Sequence, residues 1–291
     1  MLRVQQLHFT HANAAQGQAV VLHVSMTTPS RFSLAIALSM ASFSCLVAAS
    51  RAADLVLIDY EQPKLLRGTI YETGSGTNKV LFTFKRTSAR SNSTVQVTRD
   101  FSYPDGSLAA RETVVFERGQ LVSFELDDRQ TGARGSATVR TGKSKGTLVF
   151  SWTTGREATD PKKTDSEKLQ PDTLVGDMIP YFVTAHWNEL SRGNTVHFRF
   201  IAEAQLETVG FKLVREAETA WHGIPVIRLR MEPSNVLIRQ LVDPLFFTVE
   251  KNGAHRILEY TGRTTPKTRD GSKWKDLDAR TIYHWNQEGK H

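Results

Sequence analysis

The chain of 291 residues contains a single cysteine, Cys45. No intramolecular disulfide can form, and no thiolate cluster can bind a metal or carry redox chemistry. There is no Gly-x-Ser-x-Gly nucleophile elbow. The "GSG" at residues 74–76 stands between strand patterns with no helix after it, so it reads as a turn rather than a phosphate loop. Beyond residue 53 there are six histidines, His186, His197, His222, His255, His284 and His291, with no His-x-x-x-His among them. That scatter argues against a metal centre, and neither metal nor cofactor is expected. A block of like charge is missing too. The formal net charge is +7, but Lys and Arg alternate with acids, as in "LVREAE" and "KWKDLDAR", which excludes the dense basic stripe of a nucleic-acid binder. What this composition describes is an ordinary solvated surface with weak attraction to anionic lipid headgroups.

Long apolar runs are absent with one exception, residues 32–49, preceded by Arg31 and running into the small residues Ala48, Ala49, Ser50, Ala52 and Ala53. A basic residue, an apolar core and a small-residue end make the pattern of a secretory signal peptide. Ser50 and Ala52 place the cut after Ala52, with Ser50 and Ala53 as neighbouring alternatives. Met26 opens "MTTPSR", a short basic leader, so residues 26–53 read as the signal peptide and residues 1–25 as an upstream addition without helix or strand pattern. Ser33, Ser39, Ser42 and Ser44 weaken the case for a permanent membrane helix, which needs about 20 apolar residues. Cys45 follows Ser42, Phe43 and Ser44, unlike the triplet of a lipidation site. Cleavage would export 238 cysteine-free residues of net charge +4, enough for a single large domain over 54–291.

That remainder reads as sheet. Alternation places Val80, Phe82 and Phe84 on one face of "NKVLFTFKR", and recurs at Val95 and Val97, at Val122, Phe124 and Leu126, at Leu148, Phe150 and Trp152, at Val196, Phe198 and Phe200, and at Ile227, Leu229 and Met231. Turn signals fall between them, around Gly106, Gly119 and Gly132 and at Asn252 and Gly253. Further candidates at 66–72, 108–116, 136–140, 206–215, 245–250, 255–262 and 279–285 bring the total to about a dozen strands, suited to one large curved antiparallel sheet, a half-barrel or open barrel. Two short helices interrupt it. "GDMIPYFVTAHWNELSRGN" has Asp177 as cap, Pro180 in the first turn and Gly193 past the end, with Ile179, Phe182, Val183, Trp187 and Leu190 as an apolar stripe for the concave face. Ser234 caps a shorter helix with a stripe of Leu237, Ile238 and Leu241, stopped at Asp243 and Pro244. The polar stretch 155–172 holds only Ala158 and Leu169 as apolar residues; it is read as a flexible excursion, with an inter-domain linker as the alternative.

The inward aromatics Phe82, Phe84, Phe124, Phe150, Trp152, Phe198 and Phe200 either fill a dry core or, if the sheet curves too widely to be filled, line an apolar cavity. They are the candidate ligand-binding set. No catalytic residue is assigned: His186, at the edge of the apolar stripe, reads as structural, and Glu189 as a solvent-facing charge. Arg199, Arg228 and Arg230, opposite strongly apolar faces, form either a basic patch or simply a soluble face.

A signal peptide, a long meander, a polar excursion, helices on the concave face and final strands such as "LFFTVEKNGAHRILEYTGR" followed by "TTPK" resemble uncharacterised exported bacterial proteins of the domain-of-unknown-function type, with an architecture similar to the half-barrel of periplasmic lipoprotein carriers. That resemblance covers residues 60–286 and implies an open half-barrel holding acyl chains in a Gram-negative periplasm. Three functions follow for testing: a non-enzymatic carrier of a lipid or acylated protein, an envelope protein with a filled core that works through its surface, and a hydrolase or isomerase that pairs His186 or His197 with a carboxylate. Export makes the first checkable statement. N-terminal sequencing of the mature protein is expected to start between Arg51 and Asp54; finding Met1 or Met26 intact would end this reading.

Overall fold

The computed structural model describes residues 60–74, 79–118, 120–140, 146–155, 162–240 and 242–285. The extension, the apolar run with Cys45, Gly76, Gly119, residues 156–161, Leu241 and His291 lie outside the described residues. The first half is a meander: β1 (Leu65–Glu72), β2 (Val80–Ser91), β3 (Thr94–Ser102), β4 (Leu108–Glu117), β5 (Gln120–Asp128), β6 (Arg134–Arg140), β7 (Thr147–Thr153) and β8 (Lys162–Lys168). The two-residue β9 (Thr173–Leu174), a 3-10 turn (Gly176–Met178) and the helices α1 (Ile179–Ala185) and α2 (Trp187–Ser191) follow. The chain then forms β10 (Val196–Ala202), β11 (Glu207–Trp221), β12 (Ile224–Pro233), α3 (Val236–Arg239), β13 (Leu245–Glu250), β14 (Ile257–Asp270) and β15 (Lys273–His284).

All fifteen strands belong to one open sheet, in the order β8 to β1, then β15 down to β9. Neighbours pair antiparallel except β9, which runs parallel to β10. The two edge strands, β8 and β9, are consecutive in sequence, and that forces the curvature. Laid flat at about 4.8 Å per strand, the edges would stand roughly 67 Å apart. The link of residues 169–172 spans at most about 18 Å. The sheet therefore curls until its edges approach. Glu167 on β8 crosses the seam to accept a hydrogen bond from Thr208 Oγ1 on β11, and Arg199 on β10 donates to the same hydroxyl and to the Thr208 carbonyl. Within the polar stretch, Lys162–Lys168 is thus an edge strand, held by its backbone ladder to β7 and by this bridge, with almost no apolar burial.

Inside the curl lies the first helical segment. It breaks at His186, whose φ of −103° and ψ of 20° separate α1 from α2, and ends at Gly193, which takes the left-handed φ of 85°. Of the expected stripe, Ile179, Phe182, Val183 and Leu190 are buried, and Phe182 packs on Phe198 with ring centroids 5.2 Å apart. Asp177 does not cap this helix. It sits buried in the preceding turn, where it accepts from the Tyr60 hydroxyl at 2.6 Å and from Arg86 Nε at 3.1 Å, with Arg99 Nε at 3.8 Å. The reason lies in the sheet register. Arg86 on β2 faces Arg99 on β3, which faces Glu112 on β4. Two guanidiniums directly opposite each other repel, and Asp177 lies against both. Arg86 is completed by the carbonyls of Tyr60 and Pro63.

Two further departures from the sequence pattern have local causes. The last hairpin extends well past 262, through Asp270 and back from Lys273, because cross-strand ion pairs support it where apolar alternation fails: Arg263 with Asp276 and Asp278, and Lys267 with Asp276. At α3 it is Asn235, rather than Ser234, that caps, its Oδ1 accepting from Leu237 N at 2.8 Å. A four-residue helix offers no full stripe, and Leu237 stands 72% exposed. The fold yields a stability contrast. Replacing Asp177→Ala leaves the buried Arg86 without an ion-pair partner and Arg99 with Glu112 alone, and should lower stability by about 3–5 kcal/mol. Arg90→Ala, which removes a half-exposed partner of Glu61, should cost less than about 1 kcal/mol. Chemical denaturation of both variants checks this, and equal losses would refute the role given to Asp177.

Candidate functional site

The helical plug fills only part of the interior. Beside it remains a cavity of about 410 Å³. Its floor is the plug itself, through Val175, Gly176 and Ile179, and its walls come from strands of both halves of the sheet. Of the aromatics expected to face a ligand, Phe84, Phe124, Trp152 and Phe200 line this cavity. The other three do not. Phe150 is fully buried in the main core, Phe198 is buried against Phe182 and Phe211, and Phe82 packs in a second cluster with Tyr103. Shared inward orientation was correct for these residues, but height along the strand decides between wall and core. The wall also includes Ile70, Phe101, Phe211 and Phe247, and exposed Ala204, Gln205, Val242 and Asp243 mark its mouth.

One row across the concave face carries the cavity's polar end. Register places Arg86, Arg99, Glu112, Leu126, Gly135 and Trp152 in line on β2 to β7. Arg99 Nη1 reaches Glu112 Oε2 at 3.3 Å, and its guanidinium lies 5.1 Å from the Phe101 ring centroid. Burial works against that positive charge, but Glu112 and Asp177 outweigh it and hold the Arg99 pKa above the usual arginine value. Glu112 also accepts from Thr265 Oγ1. Gly135 leaves a gap in the row. A Cβ there would stand 2.6 Å from Glu203 Cγ and 2.9 Å from the Trp152 ring. Glu203, in the turn after β10, therefore reaches over the far half of the sheet into the space a larger residue would fill.

Desolvation, with the charge of Glu112 adding to it, pushes the Glu203 carboxyl up to about 7, while its own backbone N–H and Lys267 oppose the shift. Tyr260 and Tyr283, which also line the cavity, have their hydroxyls raised above the ordinary tyrosine value chiefly by burial. No histidine lines the cavity among the described residues. His186 lies against Phe182, with centroids 4.4 Å apart, and the exposed His197 approaches Ser234 Oγ at 3.5 Å. Described His, Cys, Asp and Glu side chains form no group of three able to hold a metal.

The basic residues singled out on the sheet are mostly neutralised. Arg228 pairs with Glu216 at 2.9 Å and lies over Phe246, while Arg230 and Lys212 both flank Glu232. Sequence reading missed Arg86, Arg99, Glu112 and Glu203. For the first three a signal existed: each falls at an inward position of an alternating strand, in the series Phe82, Phe84, Arg86, then Val95, Val97, Arg99, and Ala110, Glu112, Val114.

No protein-family model matches the chain, and no curated protein matches it. Among solved structures it is similar to a β-barrel-like protein of the domain of unknown function DUF1849 from Brucella abortus, at 12% identity and a TM-score of 0.36, covering 76% of this chain and 93% of that one. It is also similar to a DUF1329 family protein from Desulfovibrio piger, at 11% identity and a TM-score of 0.25, covering 80% and 90%. Both neighbours belong to families of unknown function.

The Glu203 carboxyl generates a pH prediction. Its folded value, about 7, lies above the ordinary value near 4.5. Proton uptake thus favours the folded state: the gain is fully present below the ordinary value and is lost as pH rises through about 7. Glu203→Gln should therefore be more stable than the parent at about pH 8, with the difference shrinking as pH falls toward 4.5. Denaturation midpoints across that range check the sign, and a gap that widens toward acid would contradict it.

Proposed function

We propose that this protein is a non-enzymatic binding or carrier protein of the periplasm for a hydrophobic ligand, a lipid or the acyl chain of an acylated protein. The observation that carries this reading is the cavity. Its volume of about 410 Å³ falls within the roughly 300–1,000 Å³ typical of small-molecule sites. Aromatic and aliphatic side chains form much of its wall, interrupted by charged groups such as the Arg99–Glu112 pair and Glu203, and its mouth is open. A mixed lining of this kind suits an amphiphile. The signal-like run at residues 32–49 supports the compartment.

The sheet explains why a cavity can persist here. Phe84 has its place because Gly68, directly opposite it on β1, leaves the space its ring occupies, where a Cβ would clash. Phe200 and Trp152 are only half-buried, so their rings present free area to whatever fills the cavity.

The wall and the core should respond differently to truncation. Phe200→Ala should weaken binding of a neutral naphthalene fluorophore by about three- to tenfold while lowering stability by less than about 2 kcal/mol. Phe150→Ala should instead lose about 3–5 kcal/mol, the loss expected of core truncation. Fluorescence titration and chemical denaturation of the same variants measure both. If the unmodified protein binds no neutral apolar probe, and native mass spectrometry of protein prepared from the periplasm finds no co-purifying lipid, the carrier reading fails.

A further inference from the structure

The charges that line the cavity are unequal. Three cations, Arg99, Arg263 and Lys267, face six carboxylates. Each cation is already held: Arg99 by Glu112 and Asp177, Arg263 by Asp276 and Asp278, and Lys267 by Asp276. All three positive charges are thus balanced by carboxylates of the chain itself. Glu203 shows the opposite condition, for among the described residues its carboxyl has no ion-pair partner: its own backbone N–H favours the charged form directly, and Lys267 does so through charge alone. The charged groups that act on it are Glu112 from β4, of the same sign, and Lys267 from β14, which is engaged with Asp276.

We infer that the cavity selects an apolar ligand bearing a cationic head, a protonated amine, which lies against Glu203 with its chain along the aromatic wall. This rests on the carrier reading and adds the ligand's charge to it. A primary ammonium has three N–H donors and no acceptor, which suits the one cavity-lining carboxyl of this row that lacks an ion-pair partner. A fatty carboxylate in the same place would meet Glu203 and Glu112 as like charges in a poorly solvated space, where repulsion is strong. A neutral alcohol is tolerated by either state of Glu203. Because Glu203 is partly protonated near neutral pH, seating an ammonium there drives its proton into solution, whereas an alcohol leaves the proton in place.

The test uses the mature protein and a neutral naphthalene fluorophore displaced by three ligands of one chain length, dodecylammonium, dodecanol and dodecanoate, each below its micelle concentration at about pH 7.5. The ammonium is expected to displace the probe at least about tenfold more tightly than the carboxylate, with the alcohol between. Glu203→Gln, of nearly the same shape, should narrow that ratio to about threefold or less. Calorimetry in two buffers of different ionisation heat should show proton release on ammonium binding to the parent and little with the variant. Equal or tighter binding of the carboxylate, with the fluorophore still bound, overturns the charge preference and leaves the carrier reading intact. An unchanged ratio in Glu203→Gln overturns the assignment to Glu203. Failure of the fluorophore and all three ligands to bind removes the carrier reading itself, and the inference with it.

Discussion

Two arginines placed side by side on the concave face determine much of what this fold can be. Arg86 and Arg99 occupy directly opposed positions on neighbouring strands, and both side chains point to the interior. No strand partner can neutralise the pair, because Glu112, the next residue in the row, reaches Arg99 alone. Compensation comes instead from outside the meander, from Asp177 in the turn before α1. That requirement ties a segment more than 75 residues further along the chain to the inside of the sheet. It also sets the position of the helix that follows, since Ile179, Phe182 and Val183 can only pack where Asp177 has been placed. Burying such a cluster is expensive unless every member is paired and hydrogen-bonded. Here the Tyr60 hydroxyl and the carbonyls of Tyr60 and Pro63 supply what the ion pairs leave open.

The cavity is the part of the interior that the helical segment leaves unfilled. Val175, Gly176 and Ile179 form its floor, and it lies between the main core and the second cluster, whose Ile70, Phe84 and Phe101 also line it. An interior of this kind needs the seam to hold as well. Because no backbone ladder joins β8 to β10 or β11, side chains do so, through Glu167, Thr208 and Arg199. Along that line the described strands are joined by side-chain bonds where every other neighbouring pair shares a backbone ladder.

How much of this could be read from the sequence depended on whether the determinants were local. Period-two alternation and turn residues are local, and they revealed the mainly β fold, most of the strands and their antiparallel pairing. The helical stripe at Ile179, Phe182, Val183 and Leu190 is local too. Cross-strand register is not, and it alone brings Arg86, Arg99 and Glu112 into a row. The strands that went unrecognised, Lys162–Lys168 and the distal parts of β14 and β15, are held by ladder bonds and ion pairs to partners whose identity the sequence does not announce. Asp177 shows the same limit. Aspartate before an apolar helical pattern ordinarily caps the helix, and only knowledge of two buried arginines could have assigned it elsewhere. Among the aromatics, orientation was legible, but the division between wall and core depended on where the plug stops.

The same electrostatic rule then separates structure from function within one row of residues. Arg86, Arg99, Asp177 and Glu112 are charges whose partners come from the chain itself, and their arrangement is complete without a ligand. Glu203 is reached by the same curvature and shares the row's end through the gap at Gly135, yet among the described residues it has no ion-pair partner. A residue there needs only to be small enough to fill the gap, and an apolar one would have done so without the desolvation that Glu203 suffers. Packing alone does not call for a carboxyl at this position, and the partner proposed for it is an occupant of the adjoining space, the part of the interior the protein leaves empty.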